Sequence, residues 1–177
     1  TLDGTLFPYT TLFRSYGALF FAAAISAAFA VDDPLEALRL GLTEIPAGCR
    51  LAKDIQWALR KAPGLTGWRE ARALVDERFQ GMHAVHTNNN ACLTVFGLAL
   101  GKRDFTRTIG VTVAMGLDND CTAATAGSLL GAVLGIDGVP EHWWKPFRNR
   151  ARTYLNHATE FRNSDIVRRF EKVRIRP

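Results

Sequence analysis

The fold class follows from residues 86–135, which read HTNNNACLTVFGLALGKRDFTRTIGVTVAMGLDNDCTAATAGSLLGAVLG. Residues 91–100 and 122–134 are apolar segments of helical length, and Asp104 is placed to cap a third helix that runs to Met115. The segment 122–134 is rich in small residues, which let helix backbones approach closely, so we expect it at the centre of the fold. No stretch of the chain keeps the alternation of apolar and polar residues that marks a half-buried strand. The sequence therefore predicts an all-α fold.

Turn signals divide the rest of the 177 residues into further helical segments. The Asp33-Pro34 pair supplies an N-cap and a proline at the first helical position, and Pro63-Gly64 ends a helix. A chain of this length is expected to form about one domain, at roughly 150 residues per domain. The predicted helices are 16–31, 34–44, 50–61 and 68–80 before the central stretch, and 145–158 and 164–172 after it.

Residues 1–15, TLDGTLFPYTTLFRS, show no useful helical or strand periodicity and repeat Thr-Leu-Phe. The string resembles translated sequencing-adaptor read-through, so we expect a non-native segment followed by a domain over residues 16–177. The alternative is a genuine, irregular N-terminal arm.

The apolar run 16–31 ends in Ala28-Phe29-Ala30, which imitates a signal-peptide cleavage site. It has no initiating methionine or basic start, leads directly into a helix start, and is shorter than the roughly 20 residues of a membrane span. We therefore expect a buried core helix and no membrane partner.

The chain has 22 basic and 17 acidic residues, and much of the excess lies near the C-terminus. Residues 145–177 hold ten basic side chains and three acidic ones. A solvated helical face is the favoured interpretation, and nucleic acid or another polyanion is the less favoured one. The three cysteines form no Cys-x-x-Cys motif, which favours free thiols and a cytoplasmic location.

Asp118-x-Asp120, directly before a helix, is the strongest local signal for chemistry. Two carboxylates on one turn can hold a hard cation such as Mg²⁺. The alternative is helix capping, with Asp120 as the N-cap and Asp118 forming the turn.

A second polar group, His83-x-x-His86 followed by Thr87 and three asparagines, lies at the start of the predicted helix 91–100. The histidine spacing occurs in zinc sites, but no third strong ligand is nearby. The residues fit helix caps, and they also fit neutral donors and acceptors for a ribose or a phosphate.

Four segments in this order resemble the C-terminal part of an ADP-ribosylglycohydrolase family protein. They are GALFFAAAISAAFAVDDPLEALRLGLTEIPAGCRLA (17–52), HTNNNACLTVFGLALGKRDFTRTIGVTVAMG (86–116), GLDNDCTAATAGSLLGAVLG (116–135), and the stretch after Trp144 that ends in a Ser164-Asp165-Ile166 helix start. The resemblance implies a multi-helix orthogonal bundle that binds two Mg²⁺ ions and hydrolyses the glycosidic bond between ADP-ribose and a protein side chain or small acceptor. Carboxylate ligands are equally compatible with Mn²⁺.

The resemblance assigns roles to individual residues of this chain. Asp118 and Asp120 become metal ligands, and Cys121 stands where the family usually has a third ligand, a hydroxyl. Because thiols suit Mg²⁺ poorly, Cys121 either only occupies that position or leaves it to water or Thr122. His86, Asn88 and Asn89 fall among the residues expected to line the substrate pocket.

One departure from the family concerns its other metal ligands, a Thr/Ser-Asp-Asp cluster in the N-terminal half. The sequence has one Asp-Asp pair, Asp32-Asp33, which follows Val31 and fits helix capping. We therefore expect a fold that is incomplete at its N-terminus and carries half of a two-metal site, with little or no activity by itself. The alternative is a non-catalytic helical module that binds ADP-ribose, a protein or a polyanion. The sequence assigns no catalytic residue, acceptor group or oligomeric state.

Overall fold

The computed structural model describes the backbone of residues 8–173 and the side chains of residues 15–173. Arg174 and Arg176 of the basic tail, and residues 1–7 of the adaptor-like segment, lie outside this description. The described residues form nine α-helices and one two-stranded sheet, so the all-α prediction is confirmed. The helices are α1 (Pro8–Ala28), α2 (Pro34–Gly41), α3 (Arg50–Lys61), α4 (Trp68–Arg78), α5 (Thr87–Gly101), α6 (Phe105–Ala114), α7 (Asn119–Gly138), α8 (Glu141–Trp144) and α9 (Asn163–Glu171). The strands are β1 (Arg150–Arg152) and β2 (Glu160–Arg162).

The chain divides into two units, one ending at Gly138 and one beginning at Val139. The centre of the first unit is α5, in which 13 of 15 residues are buried. Its apolar side chains lie on all faces, and such a helix has to be surrounded by others. The small-residue helix α7 packs against α1, α5 and α6 but buries only part of its surface. The expectation that α7 lies at the centre was therefore wrong.

Two glycines of α5 set its distance from α6. A Cβ on Gly97 would lie 1.9 Å from Oγ1 of Thr112, and a Cβ on Gly101 would lie 1.8 Å from Oγ1 of Thr108. No side chain fits in either space, so at these two points the backbone of α5 packs directly against threonine side chains of α6.

The start of α1 lies earlier than predicted, at Pro8 rather than residue 16. From Gly17 onward, one face of α1 is buried at helical spacing through Phe20, Ala24 and Ala28, which confirms a core helix. The predicted caps are also confirmed, because the side chains of Asp33 and Asp104 accept hydrogen bonds from backbone amides at the starts of α2 and α6.

Among the described residues, α7 is the one helix long and apolar enough to cross a membrane by length and composition. Its helical geometry is interrupted at Gly135, where φ is 65° and ψ is 178°. Leu129 and Leu130 are buried in the first unit. Because core helices pass the same test, this finding carries no membrane assignment.

The predicted helix 145–158 in the second unit was wrong. Arg148 and Asn149 both have left-handed φ angles, 49° and 61°, which end the preceding 3₁₀ turn. The chain then forms an antiparallel hairpin in which Ala151 pairs with Phe161, and Arg150 forms a 3.0 Å salt bridge with Glu160. The next predicted helix, 164–172, is present as α9.

Candidate metal centre

The turn before α7 determines where the acidic residues point. Gly116 and Leu117 both have left-handed backbones, with φ of 73° and 60°. A Cβ on Gly116 would lie 2.9 Å from a guanidinium nitrogen of Arg72, and this guanidinium donates a 2.6 Å hydrogen bond to the Met115 carbonyl. After the turn, the Asp118 carbonyl accepts a 3.0 Å bond from the Thr122 amide and so begins the helical bonding of α7.

Asp118, Asp120 and Cys121 place their ligand atoms within 4.8 Å of one another at this helix start. Asp118 is half-buried, whereas Asp120 and Cys121 are exposed. Within residues 15–173, neither carboxylate forms a salt bridge or accepts a backbone amide hydrogen bond. Because α7 begins at Asn119, Asp120 lies inside the first turn and not at the N-cap position. The capping alternative for Asp120 therefore finds no support.

The thiol of Cys121 suits a hard cation less well than the carboxylates of Asp118 and Asp120 do. Its pKa is raised, chiefly because the thiol is hydrogen-bonded to Asp118, and further by burial and by the charges of Asp118 and Asp120. A neutral thiol is a poor ligand for a hard cation. The next hydroxyl, that of Thr122, is buried and donates a 3.3 Å bond to the Asn119 carbonyl. The donor set that suits Mg²⁺ at this turn is thus the pair Asp118 and Asp120.

The two histidines before α5 accept hydrogen bonds that stabilise a turn and the start of the helix. His86 is the N-cap, and its Nδ1 accepts a 3.2 Å bond from the Asn88 amide. Nδ1 of His83 accepts a 3.3 Å bond from the Val85 amide. In the part of the chain that the structure describes, neither histidine belongs to a group that could hold a metal ion.

Two of the predicted substrate contacts, Asn88 and Asn89, are buried in the first turn of α5. The Asn88 amide nitrogen donates to Oδ2 of Asp54 at 2.8 Å, and that of Asn89 donates to the His83 carbonyl at 3.0 Å. Asn89 also lines a groove of about 290 Å³ that includes Leu117, the residue before Asp118. His86 is half-buried. Contact of these three residues with a substrate stays a prediction.

Two buried residues whose contacts involve the first turn of α5 were missed by sequence reasoning. Asn90 accepts a 3.2 Å hydrogen bond from the Asp118 amide, and it lines a small groove of about 130 Å³ together with Cys121. Asp54 is fully buried and accepts bonds from Arg50, Arg78 and Asn88. Apart from Arg50, these partners lie 24 to 34 residues away along the chain, so no local pattern signals either role.

Comparison with known families decides what kind of protein this site belongs to. Residues 13–174 match the ADP-ribosylglycohydrolase family. The chain belongs to this family. The match begins three residues before Tyr16 and covers both units of the ADP-ribosylglycohydrolase chain. No curated protein and no solved structure gives a significant match. The family implies that the chain is a hydrolase, its members are known to be metal-dependent, and the resemblance seen in the sequence is confirmed.

Proposed function

We propose that this chain takes part in Mg²⁺-dependent hydrolysis of the glycosidic bond between ADP-ribose and a protein side chain or small acceptor. Asp118 and Asp120 are the proposed metal ligands. The observation that carries the proposal is the pair of carboxylates at the start of α7, which have no cationic partner among the described residues. Adjacent unpaired carboxylates repel each other, and a divalent cation removes that repulsion.

Two bound ions would activate the attacking water and stabilise developing negative charge. The chain's own contribution is to orient the ligands and to limit their contact with bulk water. Asp118 is half-buried, which strengthens its interaction with a cation relative to a fully solvated carboxylate. His86, Asn88 and Asn89 remain the proposed contacts to the substrate, and His86 is the most accessible of the three.

Two carboxylates do not complete the coordination of two Mg²⁺ ions, which demand near-octahedral oxygen surroundings. The remaining ligands would come from water, from substrate and from a Thr/Ser-Asp-Asp cluster of the kind the family resemblance implies. We therefore propose that these residues form half of the centre and have little or no activity without the other half. Mn²⁺ would be accepted by the same donors. The three free cysteines support a reducing, cytoplasmic location.

The test is Mg²⁺-dependent release of ADP-ribose from a modified acceptor by the full-length protein. Metal ligands supply several kcal/mol of transition-state stabilisation, so Asp118→Asn and Asp120→Asn should each lower kcat about 100-fold or more. Asp137→Asn is the matched control, since Asp137 is an exposed carboxylate in the same helix, α7. Normal turnover in both site variants would contradict the proposal.

A second candidate function, binding of a polyanion, is supported by a cavity in the second unit. This cavity of about 800 Å³ is lined by Arg148, Arg150, Arg152 and Glu160. Glu160 is the carboxylate that pairs with both Arg150 and Arg152, at 3.0 and 3.7 Å, and the Arg148 guanidinium has no partner among the described side chains. Guanidinium groups in excess of carboxylates favour phosphate-bearing ligands.

This candidate predicts a steep fall in the affinity for single-stranded DNA or RNA as salt rises. Arg148→Ala should weaken the affinity and flatten its salt dependence, whereas Lys102→Ala, at an exposed position in the first unit, should not. Absent or salt-insensitive binding would exclude the candidate.

A further inference from the structure

We propose that Asn90 is a positioning residue that fixes Asp118 for metal binding. The inference rests on the proposed function, because it takes Asp118 to be a metal ligand. It concerns a residue that contacts the backbone of Asp118 and not the metal itself.

The contact that carries the inference joins two segments that lie 28 residues apart along the chain. Oδ1 of Asn90, in the first turn of α5, accepts a 3.2 Å hydrogen bond from the backbone amide of Asp118. That amide lies between the left-handed Leu117 and the first helical residue of α7, Asn119. Its direction therefore fixes the direction of the Asp118 side chain as α7 begins.

The other end of the Asn90 side chain is also fixed. Its amide nitrogen donates to the carbonyls of Ala84 and His86, at 2.6 and 2.9 Å. Because both carbonyls can only accept, the nitrogen has to face them, and the oxygen is left to face Asp118. Asn90 is 8% exposed, so breaking either set of bonds would leave polar groups buried without partners.

A second support holds the opposite end of the same turn. Arg72 donates to the Met115 carbonyl at 2.6 Å, and its Nε is held by both carboxylate oxygens of Asp76, at 2.8 and 2.9 Å. A left-handed, non-glycine residue such as Leu117 is strained and persists only where its surroundings impose that conformation. Arg72 fixes the turn before Gly116, and Asn90 fixes it after Leu117.

Asn89 offers a control that distinguishes the positioning of Asp118 from a general structural role. It is 2% exposed, lies next to Asn90, and also ties the 83–86 segment to α5, through a 3.0 Å bond to the His83 carbonyl. It makes no hydrogen bond to the turn at residues 116–118 in the described structure. Oδ1 of Asn89 also accepts bonds from the backbone and side-chain nitrogens of Asn90, at 2.9 and 3.2 Å. Asn89→Ala removes these bonds, while Asn90 keeps its bonds to Ala84, His86 and Asp118.

The experiment measures Mn²⁺ binding by electron paramagnetic resonance for the full chain and three variants, with unfolding monitored by circular dichroism. Residues that orient a metal ligand typically change affinity by 10- to 100-fold, so we expect Asn90→Ala to bind Mn²⁺ about tenfold more weakly. With no substrate present, Asn89→Ala should stay within about twofold of the unaltered chain, although it loses comparable buried bonds. Asp118→Asn should lose most of the binding.

A metal-free measurement completes the test. Hydrogen exchange at the Asp118 amide should become fast in Asn90→Ala and stay slow in Asn89→Ala. If Asn90→Ala does not fold, Asn90→Leu serves instead, because leucine has the same branching as asparagine but no acceptor for the Asp118 amide, and the same fast exchange is expected.

The outcomes distinguish this inference from the proposed function. Equal losses of Mn²⁺ affinity in Asn90→Ala and Asn89→Ala, or an Asp118 amide that stays protected in Asn90→Ala or Asn90→Leu, would overturn the positioning role alone. A chain that binds no Mn²⁺, or that binds it equally well with Asp118→Asn, would overturn the metal assignment and the positioning role with it.

Discussion

Replacing Asp54 by alanine tests the strongest polar network in the described structure. Its buried carboxylate accepts two bonds from Arg78, at 2.6 and 3.1 Å, one from Asn88 at 2.8 Å and one from Arg50 at 3.1 Å. These bonds join α3, α4 and α5, and Arg78 also stacks on Trp57 at 4.5 Å. Removing the carboxylate would leave a partly buried guanidinium and a buried amide without their acceptor.

The magnitude follows from the exposure of each partner. Loss of one member of a buried ion pair typically costs about 3–5 kcal/mol, and an unsatisfied buried donor costs about 1–3 kcal/mol. The Arg78 side chain is 30% exposed and can gain some hydration, which favours the low end of the first range. The Arg50 side chain is 57% exposed, so its pair adds little. We expect Asp54→Ala to lower the free energy of unfolding by about 3–4 kcal/mol.

Asp54→Asn should cost less, because Asn88 has a way to compensate. Oδ1 of Asn88 is buried without a partner in the native structure. Rotation of the Asn88 amide would let this oxygen accept a bond from the new amide at position 54. We therefore expect the loss to be roughly half that of the alanine variant.

Urea unfolding followed by circular dichroism measures both losses. Glu36→Ala is the control, since it removes an exposed 3.2 Å pair with Arg39 and should cost less than about 1 kcal/mol. A loss below about 1 kcal/mol in Asp54→Ala would refute the argument that this network stabilises the fold.

Two further predictions concern helix packing and helix capping. Gly97→Ala should destabilise the protein by about 1–3 kcal/mol in urea unfolding, because its Cβ would clash with Thr112. Gly110→Ala, whose Cβ would meet nothing within 4 Å, should be neutral or stabilising by up to about 1 kcal/mol. Equal effects of the two substitutions would contradict this packing. The pKa of Glu70 is lowered from its ordinary value of 4.5, because the backbone amide and the hydroxyl of Thr66 donate to its carboxylate before α4. The charged form therefore stabilises the folded state above pH 4.5, and this contribution is lost as pH falls through the lowered pKa. Melting temperatures measured across that range should fall less steeply for Glu70→Gln, and an unchanged slope would count against the cap.

Helices whose ends carry local signals were predicted well. The range 50–61 matches α3 because its apolar residues recur at helical spacing and Pro63-Gly64 ends it. The start of α5 was placed four residues late, because the apolar run begins at Ala91, after three successive asparagines. Those asparagines are buried by virtue of hydrogen bonds that no periodicity reveals. The hairpin in the second unit was missed since its three-residue strands are too short for alternation to show.

In the candidate site too, the residues with a local sequence signal were predicted, and the residues that act through contacts distant in sequence were not. Asp118 and Asp120 were found because a single residue separates the two carboxylates on one turn, and the structure brings their oxygens together. Asn90 and Asp54 act on elements far away in sequence, so only the folded chain shows what they contact. The family resemblance supplied the metal chemistry, which the local pattern alone had left balanced against capping.

The central claim is that Asp118 and Asp120 hold a divalent cation. Anomalous diffraction from crystals of the protein grown with Mn²⁺ tests it most directly. We predict an anomalous peak coordinated by carboxylate oxygens of both residues, and no peak there in the Asp118→Asn, Asp120→Asn double variant. Density for Mn²⁺ at other positions alone, with both carboxylates left uncoordinated, would contradict the account.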